Sequence, residues 1–259
     1  MDIVTGILMV VVGLLAGYIN TLAGAGSLLT LSFLMFFGMD AKVANGTNRI
    51  GILIQSLVAT GNFKKQEIFA WHEGLWLGLP AIAGSIAGSL SAVSIDERTM
   101  KVSIGIFLAL MLLIILFKPD IWLKKEATRK THKKLRYIEL PVYIAIGFYG
   151  GFIQAGVGYF LLAGLVLVSG YDLVKANALK VFIVLLFTVP ALFIFIYNQQ
   201  VMLFEGLLLA AGSSIGAWLG SHAAIKKGAG YIRFFIIATL LLSVTDMFFG
   251  IRRLITLVF

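Results

Sequence analysis

Residues 17–26 read Gly-Tyr-Ile-Asn-Thr-Leu-Ala-Gly-Ala-Gly, and residues 151–158 read Gly-Phe-Ile-Gln-Ala-Gly-Val-Gly. Each string lies within a long apolar stretch, where glycine and amide residues interrupt a helix. Backbone freed from helical hydrogen bonds at membrane depth is tolerated only where protein or a polar cavity satisfies it. A chain with two such breaks, one per half, must therefore bury both. Interruptions at corresponding places in two halves point to a transporter's binding site.

The apolar stretches themselves call for a bilayer. At about 1.5 Å rise per residue, roughly 20 apolar residues cross about 30 Å of hydrocarbon. The stretches 3–22, 50–61, 74–93, 102–117, 138–155, 181–197, 206–224 and 231–250 are spans or large parts of spans. Sixty per cent of the 259 residues (60%) are hydrophobic and 13% charged, with a mean hydropathy of +0.99, which excludes an ordinary soluble domain. Runs such as Leu108 to Leu116 do not alternate apolar with polar, so the spans are helices rather than barrel strands. The predicted class is an all-α, multi-pass integral membrane protein surrounded by lipid. The chain has no cysteine, which excludes disulfides, zinc–thiolate sites and thiol catalysis. The N-terminus carries Asp2 and no basic region, unlike a cleaved signal peptide.

The net charge of +9 would suit nucleic acid if it were spread over a soluble surface. Much of it instead lies in one loop, with Lys118, Lys124, Lys125, Arg129, Lys130, Lys133, Lys134 and Arg136 against Asp120 and Glu126. That bias marks a cytoplasmic loop and leaves no need for a nucleic-acid partner.

The loop also joins two copies of one unit. Gly24 matches Gly156 at an offset of 132, and the same offset matches Gly26 with Gly158, Asp40 with Asp172 and Asn45 with Asn177. It goes on to match Glu73 with Glu205, Gly84 with Gly216 and Gly88 with Gly220. Upstream, a two-residue gap brings Gly17 onto Gly151 and Asn20 onto Gln154. The expected organisation is a first transmembrane repeat over 1–117, a basic cytoplasmic linker over 118–137 and a second repeat over 138–259. Each repeat has five apolar segments, in the first about 3–22, 27–37, 44–61, 72–93 and 99–117. An odd number of segments turns the second copy upside down. Loop charges fit this inverted topology: Lys64, Lys65, Lys175, Lys180, Lys226 and Lys227 fall inside, while Asn198, Gln199 and Gln200 fall outside. Arg252 and Arg253 go against it, since they fall outside.

Segments 27–37 and 159–169 have too few residues to span. Each is expected to return from a break as the second arm of a re-entrant hairpin, with the two tips meeting near the midplane. The first N–H groups of a returning helix lack partners and carry the positive end of its dipole, which suits an oxyanion. The residues around the breaks give the candidate site: Asn20, Gly24, Gly26 and Ser27 in the first copy, Gln154, Gly156, Gly158 and Tyr159 in the second. Asn48, Arg49, Asn177 and Lys180, at the start of the following spans, add amides and one cation per copy. The alternative reading of Arg49 and Lys180 is interfacial snorkelling. Gly84, Gly88, Gly216 and Gly220 are read as helix packing. Asp40 and Asp172 are read as N-caps, and Glu73 and Glu205 as caps or proton-coupling groups.

With the breaks stand Gly24-Ala25-Gly26-Ser27 and Ala44-Asn45-Gly46-Thr47. This pattern resembles the first-half mark of the sulfite exporter TauE/SafE family, and the resemblance runs from about Gly6 to Gly250. It implies a transporter in the bacterial inner membrane that exports sulfite, sulfoacetate or other small organosulfur and carboxylate anions. Where many members carry a further glycine and a proline, Ser27, Thr30, Tyr159 and Leu162 stand here, and Tyr159 could narrow the pocket or lend its hydroxyl to the anion. The expected function is secondary transport of a small anionic substrate by alternating access, with the two halves rocking about the tips. No cofactor, metal or catalytic residue is expected, and the chain carries no Walker-type phosphate loop. An anion-selective channel is the alternative, with an intramembrane enzyme behind it. The coupling ion, the direction of flux and a homo-oligomeric state stay open.

Overall fold

The computed structural model describes residues 3–68, 71–104, 106 and 133–249, leaving aside the side chains of 133–138 and 240–249. The linker 118–132, most of the expected segment 99–117, and Arg252 and Arg253 lie outside the described residues. Every regular element among those described is helical. In chain order they are α1 (Ile3–Leu22), α2 (Gly26–Phe36), α3 (Ala41–Lys65), α4 (Trp71–Ser94), α5 (Lys133–Phe152), α6 (Val157–Ala163), α7 (Leu173–Tyr197) and α8 (Leu203–Phe249). A π-helical turn, Gly164–Val168, continues α6. α1, α4, α7 and the Leu203–Thr239 part of α8 are long and apolar enough to cross a membrane. α3 is as long as α7, at 25 residues, but it carries Asn45, Thr47, Asn48, Arg49, Gln55, Ser56 and Thr60, all buried. Its polar face is turned inward, away from lipid.

Local chemistry explains where the helices stop. α1 breaks at Gly24, whose φ of 85° is left-handed, and α5 breaks at Gln154 and Gly156, with φ of 64° and 72°. Asp172 caps α7 as expected, its Oδ1 accepting from the N–H groups of Val174 (3.1 Å) and Lys175 (3.0 Å). Asp40 does not cap α3. The carboxylate of Glu97 does so instead, accepting from the N–H of Ala41 (2.6 Å) and of Lys42 (3.2 Å). The turn after α4 carries Glu97 back over the start of α3, so a neighbour supplies the cap that Asp40 was expected to give. α8 runs through a kink at Gly228, with φ 71° and ψ −163°.

Packing crosses between the halves of the sequence. α1 lies along α8 and α4 along α5, while α3 packs on α8, α7 packs on α4, and α3 meets α7. The glycine pairs on α4 and α8 make these approaches possible. A Cβ at Gly84 would strike the backbone of Ile144 and Phe148 on α5, and one at Gly216 that of Leu14 and Tyr18 on α1. The packing reading of these glycines is thereby met.

The contacts also correct the alignment of the first helices. Ile144 and Phe148 lie 130 residues beyond Leu14 and Tyr18, whereas Gly216 lies 132 beyond Gly84. Asn20 therefore corresponds to Gly150 rather than to Gln154, and the second break holds two additional residues. Helix packing fixes this register rigidly, whereas two short glycine-rich strings can be aligned with a gap in either direction.

Hydrogen bonds sort the helix ends into two groups. At one end, Lys42 Nζ donates to the carbonyls of Val93 (3.0 Å) and Ile95 (2.7 Å), and Gln200 Nε2 to that of Val93 (3.3 Å). At another, Lys175 Nζ lies 2.9 Å from the Glu73 carboxylate, so Glu73 is an ion-pair partner. α3 therefore starts near where α7 ends. Between these ends the two breaks touch. A Cβ on either Gly24 or Gly158 would collide with the Cα of the other.

Gly158→Ala should therefore overpack the tip and lower stability by about 1–3 kcal/mol. Gly61→Ala, at a helical position with nothing within 4 Å of its Cβ, should be neutral or stabilise by up to about 1 kcal/mol. Thermal unfolding in detergent reads both, and the opposite signs are the test.

Candidate functional site

Each break ends a helix whose last carbonyls lack a continuing turn, although the Asn20 carbonyl still accepts from the N–H of Gly24 (2.9 Å). Two buried cations meet them. Arg49, on α3, donates from Nη1 to the Gly150 carbonyl (3.2 Å) and from Nη2 to that of Gly151 (2.6 Å), at the end of α5. Its guanidinium lies 4.4 Å over the Phe195 ring. Lys180, on α7, donates from Nζ to the carbonyls of Asn20 and Thr21, both at 3.0 Å, at the end of α1. Gly150 and Gly151 are Asn20 and Thr21 displaced by the same 130 residues that relate the two helices. Arg49 and Lys180 therefore do one job at neighbouring positions, and both favour the negative end of the helix dipole they face. Both are buried, so neither snorkels to the interface.

The two cations differ in what else they face. Lys180 lines a cavity at the tip contact, and Arg49 does not. About 20 Å³ of the cavity is open to the centre of a water molecule, room for about one water. Gly24 and Gly158 line it with Ser27 on α2, and so do Asn20, Thr21 and Gln154. Ile52, Val157, Val181 and Val184 supply apolar wall, and Gln55 and Ser56 add polar wall from α3. Lys180 uses a third donor on Asn177 Oδ1 (2.7 Å). Three acceptors match the three ammonium protons, so an anion reaching Nζ must displace one of them. Among the described residues no carboxylate lies within ion-pair distance of either buried cation. Burying unbalanced positive charge is costly.

The expected site residues thus divide. Asn20, Gly24, Ser27, Gln154, Gly158 and Lys180 line one cavity. Gln154 is held by Thr188, to whose hydroxyl its Nε2 donates (2.7 Å), and its buried Oε1 has no partner among the described residues. Ser27 Oγ accepts from the N–H of Gly156 (3.1 Å), which ties the tips together. Asn48 Oδ1 accepts from Thr30 Oγ1 (2.6 Å), and Asn177 holds Lys180, so both brace the site from behind. Gly26 packs against Ala16 on α1. Tyr159 shares a hydrogen bond with Thr239 (2.6 Å) on α8 and is not among the cavity-lining residues.

Gln55 and Ser56 were missed by sequence reasoning. A signal was available. Asn45, Asn48, Gln55, Ser56 and Thr60 stand at successive spacings of three, seven, one and four residues on α3, which puts them on one helix face.

Replacing Arg49 with Met should leave the carbonyls of Gly150 and Gly151 unpaired in the interior. Hydrogen bonds to charged groups contribute about 1.5–3 kcal/mol each, so a loss of at least about 2 kcal/mol is expected. Arg49→Lys should recover only part of it, since an ammonium lacks the planar fork and the ring stack. Thermal unfolding of the purified variants measures both.

Comparison with known proteins follows the same lines. The family model described as "Sulfite exporter TauE/SafE" matches residues 9–247. A probable membrane transporter protein, ORF9, of Sinorhizobium is 29% identical over 223 residues, covering 86% of this chain and 84% of the relative. A probable membrane transporter protein of Haemophilus influenzae is 28% identical over 222 residues, covering 86% of each chain. The probable membrane transporter protein YunE of Bacillus subtilis is 24% identical over 247 residues, covering 85% of this chain and 88% of its own. No solved structure gives a significant match. With a family model matched along most of its length, the chain belongs to the TauE/SafE sulfite exporter family of multi-pass membrane transporters.

Proposed function

We propose that this chain is a secondary transporter that exports small anions such as sulfite, sulfoacetate or related organosulfur and carboxylate compounds. It is a carrier rather than an enzyme, and the anion binds where the two helix breaks meet. One observation carries the reading: Lys180 is buried beside the tip cavity with no carboxylate within ion-pair distance among the described residues. A bound anion supplies the missing charge. The neighbouring Asn20, Ser27, Gln55 and Ser56 offer donors to its oxygens, and Gln154 adds an amide.

The two halves are inverted copies, an arrangement supported by the opposite course of α3 and α7 and by the recurring glycine contacts. Alternating access moves two bodies past a site between them. Because α8 packs with α1 and α3, and α4 with α5 and α7, those bodies are mixed bundles that exchange α4 and α8 between the halves. The cavity has room for about one water, so the anion enters as the bundles part.

A panel of sulfite, sulfoacetate, acetate and sulfate should include at least one anion that raises the apparent Tm of the purified protein by binding the folded state. Lys180→Gln should abolish that rise and cut uptake of the same labelled anion into proteoliposomes by tenfold or more. Asn20→Ala combined with Gln154→Ala should cut it less severely. Undiminished flux through well-folded Lys180→Gln protein would sink the site assignment.

A further inference from the structure

The two copies do not contribute equally to the cavity. At the matched positions, the first copy has Asn20, Ser27 and Gln55, and the second has Gly150, Tyr159 and Phe187. The first three line the cavity and the second three do not. Phe187 is fully buried and occupies the space that a side chain at position 150 would take, since a Cβ there would lie 2.8 Å from its Cζ. Tyr159 is buried too, with its hydroxyl committed to Thr239. Where the first copy leaves a polar recess, the second fills the corresponding space with two aromatic rings.

We infer that the substrate recess is one-sided, and that Gln55 and Ser56 of α3 are its specificity-determining partners to Lys180. The inference rests on the anion-site reading above but makes a separate claim. A symmetric site would hold the anion between matched amides of both copies. Here Asn20 and Gln55 line the cavity from α1 and α3, while the buried rings of Phe187 and Tyr159 do not line it. No hydrogen bond ties down Gln55 or Ser56 among the described residues, so their polar groups are available to a ligand. Gln55 supplies an amide donor and Ser56 a hydroxyl to the cavity that Lys180 also lines. A single anionic head group per chain follows, held by Lys180, with the first copy supplying most of the donors and Gln154 one amide.

The chain has no cysteine, so single cysteines can be introduced without background. Four variants, Ser27→Cys, Gln55→Cys, Tyr159→Cys and Phe187→Cys, are treated in proteoliposomes with 2-sulfonatoethyl methanethiosulfonate, a small anionic thiol reagent. The reagent transfers its thioethylsulfonate group to the thiolate and releases methanesulfinate. The variants at 27 and 55 should label at least tenfold faster than those at 159 and 187, and millimolar sulfoacetate, sulfate or acetate should slow them. Equal labelling on the two sides overturns the one-sided recess. One-sided labelling that none of these anions slows upholds the recess and overturns the anion reading. Where an anion does slow labelling, Gln55→Leu should weaken its binding tenfold or more and Phe187→Leu less than twofold. Equal effects of those two substitutions overturn the role given to Gln55.

Discussion

Two buried cations on the ends of two broken helices are the interaction on which the rest of this structure depends. Breaking a helix inside a membrane leaves carbonyls that lipid cannot satisfy. Arg49 takes those of Gly150 and Gly151, and Lys180 takes those of Asn20 and Thr21. Each cation is carried by the helix that follows the other copy's break. The bonds therefore hold the end of α1 to α7 and the end of α5 to α3, which brings the tips together. Without them the glycine strings would be destabilised helices. With them the breaks become a fixed junction at which backbone and polar side chains can surround a ligand.

The same device gives the two cations different prospects. The Arg49 guanidinium donates to two carbonyls and also lies over the Phe195 ring. Its fork is matched to both acceptors, and it does not line the cavity. Lys180 is a point charge with three acceptors, and it borders a cavity. An ammonium exchanges acceptors at little geometric cost, whereas a planar fork does not. An anion arriving at Lys180 competes directly with the carbonyls of Asn20 and Thr21. In the proposed function, substrate binding and release of the end of α1 are thus two outcomes of one competition. That couples occupancy of the site to movement of α1 without a separate relay.

Much of this was legible in the sequence. Apolar stretches gave the helices, since only a helix or closed barrel satisfies its own backbone in lipid and these stretches do not alternate. The glycine strings marked the breaks because left-handed and close-packed positions have few other solutions, as Gly24 and Gly158 illustrate. Lys180 and Asn20 stood out as polar groups in an apolar setting. What could not be read was partner choice. Arg49 and Lys180 look alike in sequence, and their roles separate only through what surrounds each head group. The Asp40 and Asp172 positions are matched, yet Glu97 replaces the first cap because a neighbouring turn brings it close. Gln55 and Ser56 share a helix face with Asn45 and Asn48, but only the structure shows that this face meets the cavity. The correspondence of Asn20 with Gly150 needed the rigid register of packed helices.

The exchange of helices between the halves changes what can move. If each half were a compact body, the halves could rock as units about the tips. α8 instead lies against α1 and α3, and α4 against α5 and α7. Their glycine contacts bring backbone against backbone, as at Gly84 and Gly216. Such close-packed faces resist sliding, because ridges on one helix fill grooves on the other. The weaker seam lies where α3 meets α7, and there the cavity is found, with Ile52, Gln55 and Ser56 on one side and Lys180, Val181 and Val184 on the other. In the proposed function, this seam of mixed apolar and polar groups is where the two bundles part. The cations then take on a second consequence of their placement. Arg49 reaches from α3 to α5, and Lys180 from α7 to α1, so each bridges the seam. Opening on either side must strain at least one of these bridges. Of the two, Lys180 is the one that an anion can relieve.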